Sequence, residues 1–499
     1  MVDLFTNTYS RLFLIEDRAG PANAPEYIGF GRAGAPSWDG GDVTPVRQPA
    51  DDQYGSFSVV GTIRGAQGLP SLPIMVRYNF ELSDMLRLFR KRCPIDARVH
   101  MGKCRDPRDP NNGWDKIAVL EGAVLTNYGA GDLGAMEPGD EAVVIEEIPL
   151  TGLDYYEIIR IMPAELGESE IVQEIVDVLI CDARQCGECG IASNGCLKLF
   201  AITRSAGGSP GLPAELIYSD DGGVTLGQTN ISTLAANEDP SAAACVGTLL
   251  VVVSNASDSL HYATIADILL GTETWVEVLT GFVTPAGSPN DIFSAGALHT
   301  WIVGDAGYIY FTADPTAGVT VQDAGIATTQ NLNAIHGIDN QNLVAVGALN
   351  AVVLTNNGGI TWASVTGPAV GIALNTVWMR SKTEWYVGAA NGRLYYTRDA
   401  GLNWTEKAFP GSGTGTVRDV VFATPLVGYM SHTTAATVGR ILRTIDGGYS
   451  WYELPENQSQ SFLDNDGIAA LAACREDPNV VFGGGLAGDA TDGFLVKCA

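Results

Sequence analysis

Apolar runs and polar turns alternate along most of the chain, and long amphipathic helical periods are hard to find. Runs such as FSVVGTIR (57–64) and LYYT (394–397) are short and bounded by Gly, Asn, Asp or Pro, which favours β-strands. The exception is residues 83–92, where Ser83 can cap a short helix and Leu86 and Phe89 would face a core. The pattern predicts an all-β protein with one short helix near the N-terminus.

Four segments in the C-terminal two-thirds repeat the pattern Ser/Thr-x-Asp/Asn-x-Gly-x-polar-apolar, each after an apolar run. In three of them the last position is Trp. The residues that define the repeat are Ser219, Asp221 and Gly223; Thr355, Asn357, Gly359 and Trp362; Thr397, Asp399, Gly401 and Trp404; and Thr444, Asp446, Gly448 and Trp451. A degenerate copy runs from Thr312 through Asp314 and Gly318 to Val321, and a fainter one links Thr264 to Trp275.

The repeated residue types suit a tight turn better than a chemical site. An Asp or Asn at the third position can accept hydrogen bonds from backbone N–H groups of its own turn. A Gly at the fifth position can adopt a left-handed conformation, and the Trp can pack between neighbouring sheets. We therefore interpret these residues as structural.

The spacing of the repeats predicts the fold. The copies begin at 219, about 264, 312, 355, 397 and 444, which matches the roughly 40–50 residues of one four-stranded propeller blade. The strand-like runs IAALAAC, VVFGGGL and GFLVKCA follow the last copy. Six copies and this final set predict a seven-bladed β-propeller. Over about residues 172–499 the chain resembles the Asp-box (BNR-repeat) propellers of sialidases, some glycoside hydrolases and photosystem assembly factors.

The final set has three strands, so the ring needs a fourth from elsewhere. We expect the β-rich residues 171–181 to supply the outer strand of the last blade and to pair antiparallel with residues 493–499. Cys181 and Cys498 end these two segments, which makes them a candidate disulfide.

Residues 1–165 contain no copy of the repeat and read as a compact β domain with strand-like runs at 57–64, 74–80, 117–128, 142–150 and 155–161. The layout resembles the tail-tube proteins of bacteriophages, which implies a small β-barrel or sandwich, one flanking helix and a long hairpin, here at residues 55–80. The predicted organisation is a tail-tube-like domain (1–165), a linker with the closing strand (166–196) and the propeller (197–499).

Composition narrows the possible partners. The net charge of −28 removes the non-specific phosphate attraction of a nucleic-acid binder. No run of about 18 apolar residues occurs, so no membrane insertion is expected. The first residues lack the basic start and apolar run of a secretory signal, so we expect the protein to be made in a cytoplasm.

Candidate chemistry is sparse. The nearest match to a sialidase Arg-Ile-Pro motif, Arg160-Ile161-Met162-Pro163, precedes the repeats and contains an inserted Met. Glu384 and Asp419 lie near strands, but no spacing marks a catalytic carboxylate pair. We expect no enzymatic activity and no cofactor.

The nine cysteines leave pairing open. Cys181, Cys186, Cys189 and Cys196 contain only one CxxC, so disulfides or free thiols are favoured over zinc. Cys93 and Cys104 form a second candidate disulfide, and His100 between them leaves a metal site as the alternative. No bound metal is expected.

Three functions fit these features. The first is a virion structural protein, a phage tail-tube protein assembled in the host cytoplasm, whose propeller decorates the outside of stacked rings or another oligomer. It would contact other virion proteins, with DNA only as passing cargo. The second is a propeller that binds or hydrolyses surface glycans. The third is an assembly factor. The basic run between Arg87 and Arg108 would contact an acidic neighbouring subunit.

Overall fold

The structure, a computed structural model, divides the chain into two compact units, Met1–Arg160 and Ile161–Ala499. It describes residues 11–16, 26–30, 32–33, 43–49, 57–64, 71–77, 95–102, 114–125, 145–151, 154–159, 161, 163–166, 173–181, 197–205, 213–235, 238–283, 286–296, 298–434, 439–454, 467–486 and 493–498.

The N-terminal unit contains ten antiparallel strands among its described residues. They are β1 (Arg11–Glu16), β2 (Glu26–Phe30), β3 (Arg32–Ala33), β4 (Val43–Pro49), β5 (Phe57–Arg64), β6 (Ser71–Arg77), β7 (Ile95–Gly102), β8 (Trp114–Leu125), β9 (Ile145–Thr151) and β10 (Asp154–Ile159). Seven of them form a sheet in the order β2-β1-β7-β8-β9-β6-β3, and β10 also pairs with β8. Strands β4 and β5 form a separate two-stranded ribbon.

Strand β8 carries the described core of this unit. Ile117, Ala118, Val119 and Leu120 are all buried, and Ile158 of β10 is buried with them. Because successive side chains of a strand point to opposite faces, both faces of β8 are covered here.

The long hairpin predicted at residues 55–80 is wrong in its pairing. Strand β5 pairs with the preceding β4, and β6 pairs with β3 and β9. The predicted helix at 83–92 lies outside the described residues, and the barrel or sandwich stays a prediction.

The C-terminal unit is a seven-bladed β-propeller of four-stranded antiparallel sheets. Each of the first six blades takes four consecutive strands, from the channel outward. Blade 1 consists of β12 (Ile175–Ile180), β13 (Leu199–Thr203), β14 (Glu215–Ser219) and β15 (Gly227–Asn230). Blade 2 consists of β16 (Pro240–Val246), β17 (Leu249–Ser254), β18 (Ser259–Thr264) and β19 (Val276–Val278). Blade 3 consists of β20 (Pro289–Ser294), β21 (Thr300–Gly304), β22 (Tyr308–Thr312) and β23 (Thr320–Ala324).

Blades 4 to 7 continue the same arrangement. Blade 4 consists of β24 (Leu332–Gly337), β25 (Leu343–Gly347), β26 (Ala351–Thr355) and β27 (Ala363–Thr366), and blade 5 of β28 (Leu374–Met379), β29 (Trp385–Ala389), β30 (Leu394–Thr397) and β31 (Thr405–Lys407). Blade 6 consists of β32 (Thr416–Phe422), β33 (Gly428–Thr433), β34 (Gly439–Thr444) and β35 (Tyr452–Glu453). Blade 7 consists of β36 (Gly467–Ala473), β37 (Val481–Leu486) and β38 (Gly493–Cys498), with β11 (Pro163–Glu165) as its outermost strand.

Burial follows the position of a strand in its blade. The second strands β21, β25 and β29 are buried at every residue, whereas β15 and β27 at the outside contain only half-buried and exposed residues. Large side chains fill the space between blades, which places the hydrophobic core between adjacent sheets. One α-helix, α1 (Ile265–Leu270), and three 3₁₀ turns, Asp305–Gly307, Pro315–Ala317 and Ala348–Asn350, are present among the described residues.

The ring closes through β11, which corrects the predicted closing strand. Pro163 pairs with Cys498 and Glu165 with Val496, so the partner segment and the antiparallel direction are as expected. Residues 175–180 instead form β12, the channel strand of blade 1. The apolar run IVDVLI suits an inner position packed against neighbouring blades, whereas outer strands elsewhere are largely exposed.

This closure also moves the predicted domain boundaries. Residues 163–165 belong to the propeller and not to the N-terminal domain, and β12 is part of blade 1 and not of a linker. The division between the units falls after Arg160.

The candidate Cys181–Cys498 disulfide is wrong as well. Cys181 is bonded to Cys245, with a Cα–Cα distance of 5.9 Å, because both residues lie at the ends of adjacent channel strands. Cys498 is a buried free thiol in the third strand of blade 7, and Cys474 is disulfide-bonded. Cys93, Cys104, Cys186, Cys189 and Cys196 lie outside the described residues.

Candidate functional site

The four repeated turns connect the third and fourth strands of blades 1, 4, 5 and 6 and share one hydrogen-bond pattern. The hydroxyl at the first position accepts a bond from the N–H of the fifth-position Gly. The oxygen at the third position accepts a bond from the N–H four residues later. These second bonds join Asp221 to Thr225 (2.8 Å), Asn357 to Thr361 (3.1 Å), Asp399 to Asn403 (2.8 Å) and Asp446 to Ser450 (2.9 Å).

The fifth-position glycines are required by both conformation and space. Gly223, Gly359, Gly401 and Gly448 have φ between +82° and +86°, a region that side chains disfavour. A Cβ on Gly448 would collide with the phenol group of Tyr386 in the preceding blade. The turns are therefore built to lie against a neighbouring sheet.

The residue before each of three of these glycines offers its carbonyl to the preceding blade. Gly222 accepts a bond from Lys497 Nζ (2.9 Å), and Gly358 accepts one from Gln322 Nε2 (3.1 Å). Gly447 accepts a bond from Arg380 Nη1 (3.0 Å). The polar groups of the turns are thus used within the scaffold.

The aromatic residues of the turns differ in burial. Trp451 is buried against Tyr386 and Phe422, whereas Trp404 is half-buried and donates from Nε1 to the carbonyl of Thr366 at 2.9 Å. Trp362 is also half-buried, and it packs against the core cluster of blades 3 and 4.

The two weaker copies diverge from this pattern. Asp314 accepts a bond from the nearer Thr316 N–H (3.0 Å) and begins a 3₁₀ turn. Between Thr264 and Trp275 the chain forms α1 in place of the turn.

The channel contains a cavity of about 200 Å³ among the C-terminal ends of the innermost strands. All seven of these strands contribute to its lining, together with Arg475, which follows β36. One wall is aromatic and is formed by Phe293, His336 and Trp378 of blades 3, 4 and 5. The rest of the lining is mostly aliphatic, with Leu179, Ala244, Val421 and Ala472, and it also includes Phe422.

His336 is held as a neutral imidazole. Its Nδ1 accepts a bond from the backbone N–H of Met379 at 3.1 Å, which leaves the proton on Nε2. Burial, and secondarily the positive charge of Arg475, lower its pKa to about 3. The ring lies 4.0 Å from that of Trp378, centroid to centroid, so the two form one continuous aromatic surface.

Three aspartates lie two residues before cavity-lining positions on the same face of their strands. Asp177, Asp291 and Asp419 each follow a β-bulge in the channel strand. Each accepts a bond from the next blade, from Ala243 N (2.9 Å), Ile335 N (2.7 Å) and Leu471 N (2.9 Å), respectively. Burial raises the pKa of Asp177 to about 8 and of Asp291 to about 7, and it also raises that of Asp419.

Other polar side chains at the bulges bridge in the same direction. Each donates to the backbone carbonyl of the first residue, or in one case the second residue, of the next channel strand. The donors are Ser241 to Pro289 (2.8 Å), Asn290 to Leu332 (3.0 Å), Asn333 to Leu374 (2.9 Å) and Asn375 to Val417 (2.9 Å). With the three aspartates, these bonds join every successive pair from blade 1 to blade 7.

The sequence indicated none of these bridges, although a signal was present. Pro289-Asn290-Asp291, Leu332-Asn333-Ala334 and Leu374-Asn375-Thr376 place Asn at the same position of three successive repeats.

The two carboxylates considered from the sequence are not brought into one site. Asp419 bridges blades 6 and 7 in the channel. Glu384 contacts Arg398 (3.3 Å) and accepts a bond from the Tyr396 hydroxyl (3.2 Å). Among the described residues, no group of three or more His, Cys, Asp or Glu side chains is placed to hold a metal ion.

Comparisons with known proteins are informative about fold only. No known protein family matches the sequence, and no curated protein does. A streptogramin B lyase structure is 12% identical over 68% of this chain and 97% of that chain, with a TM-score of 0.50. The WD40 repeats of RRP9 are 8% identical over 68% and 97%, also with a TM-score of 0.50. YCF48 bound to D1 peptide is 14% identical over 68% and 95%, with a TM-score of 0.49. The chain therefore shares the β-propeller architecture with the lyase and with the WD40 repeats of RRP9.

Within the described ranges, no helix has both the length and the apolar character needed to span a membrane.

Proposed function

We propose that this chain is a non-enzymatic structural and binding protein, with the propeller as a rigid binding module. The observation that carries this proposal is the chemistry of the channel cavity. Its lining offers aromatic and aliphatic surface, a neutral imidazole and one guanidinium. Such a set binds a ligand through contact area and charge.

The repeated turns support the same role. Their Asp and Asn side chains bond to their own turns, and three of the turns also bond to the preceding blade. This use of the polar groups favours scaffolding and agrees with the Asp-box resemblance. We therefore include the propeller in that class as part of the proposal.

Within this class we propose a virion protein, a phage tail-tube subunit whose N-terminal unit builds stacked rings and whose propeller lies outside. The β4–β5 ribbon supports this, because a hairpin that leaves the main sheet is a feature the tail-tube resemblance implies. The net charge of −28 also supports it, because an acidic conduit would not retain passing DNA.

Negative-stain imaging of the purified full-length protein tests the assembly. We expect rings or filaments for the full chain and single small particles for a fragment of residues 161–499. Small particles for the full chain at high protein concentration would contradict the tail-tube proposal.

A further inference from the structure

The channel cavity has a shape and a charge that together select a ligand. We propose that it binds a small ring-bearing carboxylate, with the ring against His336 and Trp378 and the carboxylate on the guanidinium of Arg475. This inference rests on the proposed binding function and names the ligand class for the same site.

The size of the cavity suits one ring with a short substituent. A protein cavity of about 150 Å³ accepts benzene. The volume here is about 200 Å³. A phenyl ring with a two- or three-atom chain therefore fits.

The walls are arranged to hold a flat group. His336 and Trp378 present adjacent rings whose planes differ by 31°, and Phe293 lies 5.2 Å from His336, centroid to centroid. Elsewhere in the lining, Ala244 and Ala472 leave space that larger residues would fill. Aromatic rings pair best in offset or edge-on arrangements at such separations. The aromatic wall can therefore contact the ring of the ligand, and the small alanine side chains leave room for it.

The charge at the cavity selects an anion. Arg475 is exposed and, in the part of the chain that the structure describes, has no ion pair. His336 contributes no charge near neutral pH. Asp177 and Asp291 in the channel have both oxygens bonded to backbone N–H groups. Arg475 is therefore left to pair with a group from outside the chain.

The same chemistry occurs in a free aromatic acid and in the C-terminal Phe of a peptide. In 3-phenylpropionate and in a C-terminal Phe, the carboxylate carbon is three bonds from the phenyl ring. The two sources are distinguished by comparing 3-phenylpropionate with the tripeptide Gly-Gly-Phe.

Isothermal titration calorimetry on the full chain tests the proposal with three probes, 3-phenylpropionate, Gly-Gly-Phe and the neutral 3-phenylpropionamide. We expect the wild-type protein to bind at least one acid at millimolar concentration or below. A charged hydrogen bond typically changes binding affinity by a factor of about 10–100. The neutral 3-phenylpropionamide should therefore bind at least about tenfold more weakly than 3-phenylpropionate. If Gly-Gly-Phe binds more tightly than 3-phenylpropionate, Gly-Gly-Phe amide replaces 3-phenylpropionamide as the neutral probe.

Matched variants assign the effect to residues. Arg475→Gln should remove the preference for acid over amide while leaving amide binding unchanged. Trp378→Leu should weaken acid and amide by the same factor. Arg418→Gln changes an exposed arginine outside the cavity lining and should bind as the wild type does.

Two results would overturn the inference. One is that neither acid binds to the wild-type protein at about ten millimolar. The other is an acid preference that survives in Arg475→Gln. Imaging keeps this outcome separate from the assembly proposal, because Arg475→Gln should form the same particles as the wild type.

Discussion

Asp419 Oδ2 accepts a 2.9 Å hydrogen bond from the backbone N–H of Leu471, which ties the channel strand of blade 6 to that of blade 7. Its other oxygen, Oδ1, accepts bonds from Val420 N (2.8 Å) and from the Thr376 hydroxyl of blade 5 (3.0 Å). One half-buried side chain therefore joins three blades. Loss of such a bond leaves a buried N–H without a partner. We therefore expect each of the three channel aspartates to contribute measurably to the free energy of unfolding.

The raised pKa values of the channel aspartates predict a dependence of stability on pH. Asp177 and Asp291 have pKa values of about 8 and 7 in the folded protein, against 3.8 as the ordinary value. Between these limits the folded state holds protons that the unfolded chain has released. Their stabilising contribution is therefore complete below about pH 4 and is lost as the pH rises through 7 to 8.

Urea unfolding at pH 5, 6, 7 and 8 measures this effect. Asp177→Asn should flatten the fall in unfolding free energy, by up to about 1.4 kcal/mol per pH unit, the limit for one proton. At pH 5 it should also lower stability, because an amide offers one acceptor where two are used, and the deficit should shrink as the pH rises. Asp399→Asn is the control, since hydrogen bonds lower the pKa of Asp399 out of this range. An unchanged slope in Asp177→Asn would contradict the assignment.

The Cys181–Cys245 disulfide predicts a second stability effect. The bond spans 64 residues and links the channel strands of blades 1 and 2. In the loop-entropy model such a bond is worth about 4 kcal/mol. The double variant Cys181→Ala/Cys245→Ala should lose stability on this scale in urea unfolding without reductant. Cys498→Ala is the matched control for removing a buried sulfur without breaking a disulfide. A loss no larger than that of the control would refute the prediction.

Much of the propeller could be predicted from the sequence because its turns use distinctive residues. A Gly at φ near +85° and an Asp or Asn that accepts from its own turn leave a readable pattern, as at residues 397–404. The number of blades followed from the spacing and is confirmed. Local hydrogen bonds are encoded by neighbouring residues, so a single sequence can reveal them.

Long-range features were not readable in the same way. The closing strand β11 is three residues long, and backbone pairing with β38 carries no side-chain pattern. The cavity combines Phe293, His336 and Trp378 with Arg475, each from a different blade. Their meeting depends on the closure of the ring, which no local pattern records.

The tryptophans of the repeated turns should differ in their contribution to stability. Trp451 is 3% exposed and packs edge-on against Phe422 at 5.9 Å, so Trp451→Ala should cost about 3–5 kcal/mol. Trp404 is half-buried, and Trp404→Ala should cost less, about 1–2 kcal/mol. Urea unfolding compares the two. Within the described residues Trp451 Nε1 has no hydrogen-bond partner, so Trp451→Phe should recover most of the loss. Equal costs for the two alanine variants would contradict the difference in burial.

Closure of the ring by β11 predicts where the chain can be shortened. Leu166 donates from its backbone N–H to the carbonyl of Leu495 at 2.8 Å, and its side chain lies against Gly223 in the repeated turn of blade 1. Lys497 bonds to Gly222 across the same junction. Residues 163–166 therefore both complete blade 7 and help to hold it to blade 1.

Two fragments separate this role from that of the N-terminal unit. The fragment 161–499 keeps β11 and should unfold cooperatively at a temperature close to that of the propeller in the full chain. The fragment 167–499 lacks β11 and exposes the edge of β38, which should lower the unfolding temperature and promote aggregation through the unpaired strand. Scanning calorimetry with light scattering measures both. If 167–499 is as stable and soluble as 161–499, the outer strand contributes nothing to closure, and the contacts between blades 7 and 1 alone hold the ring.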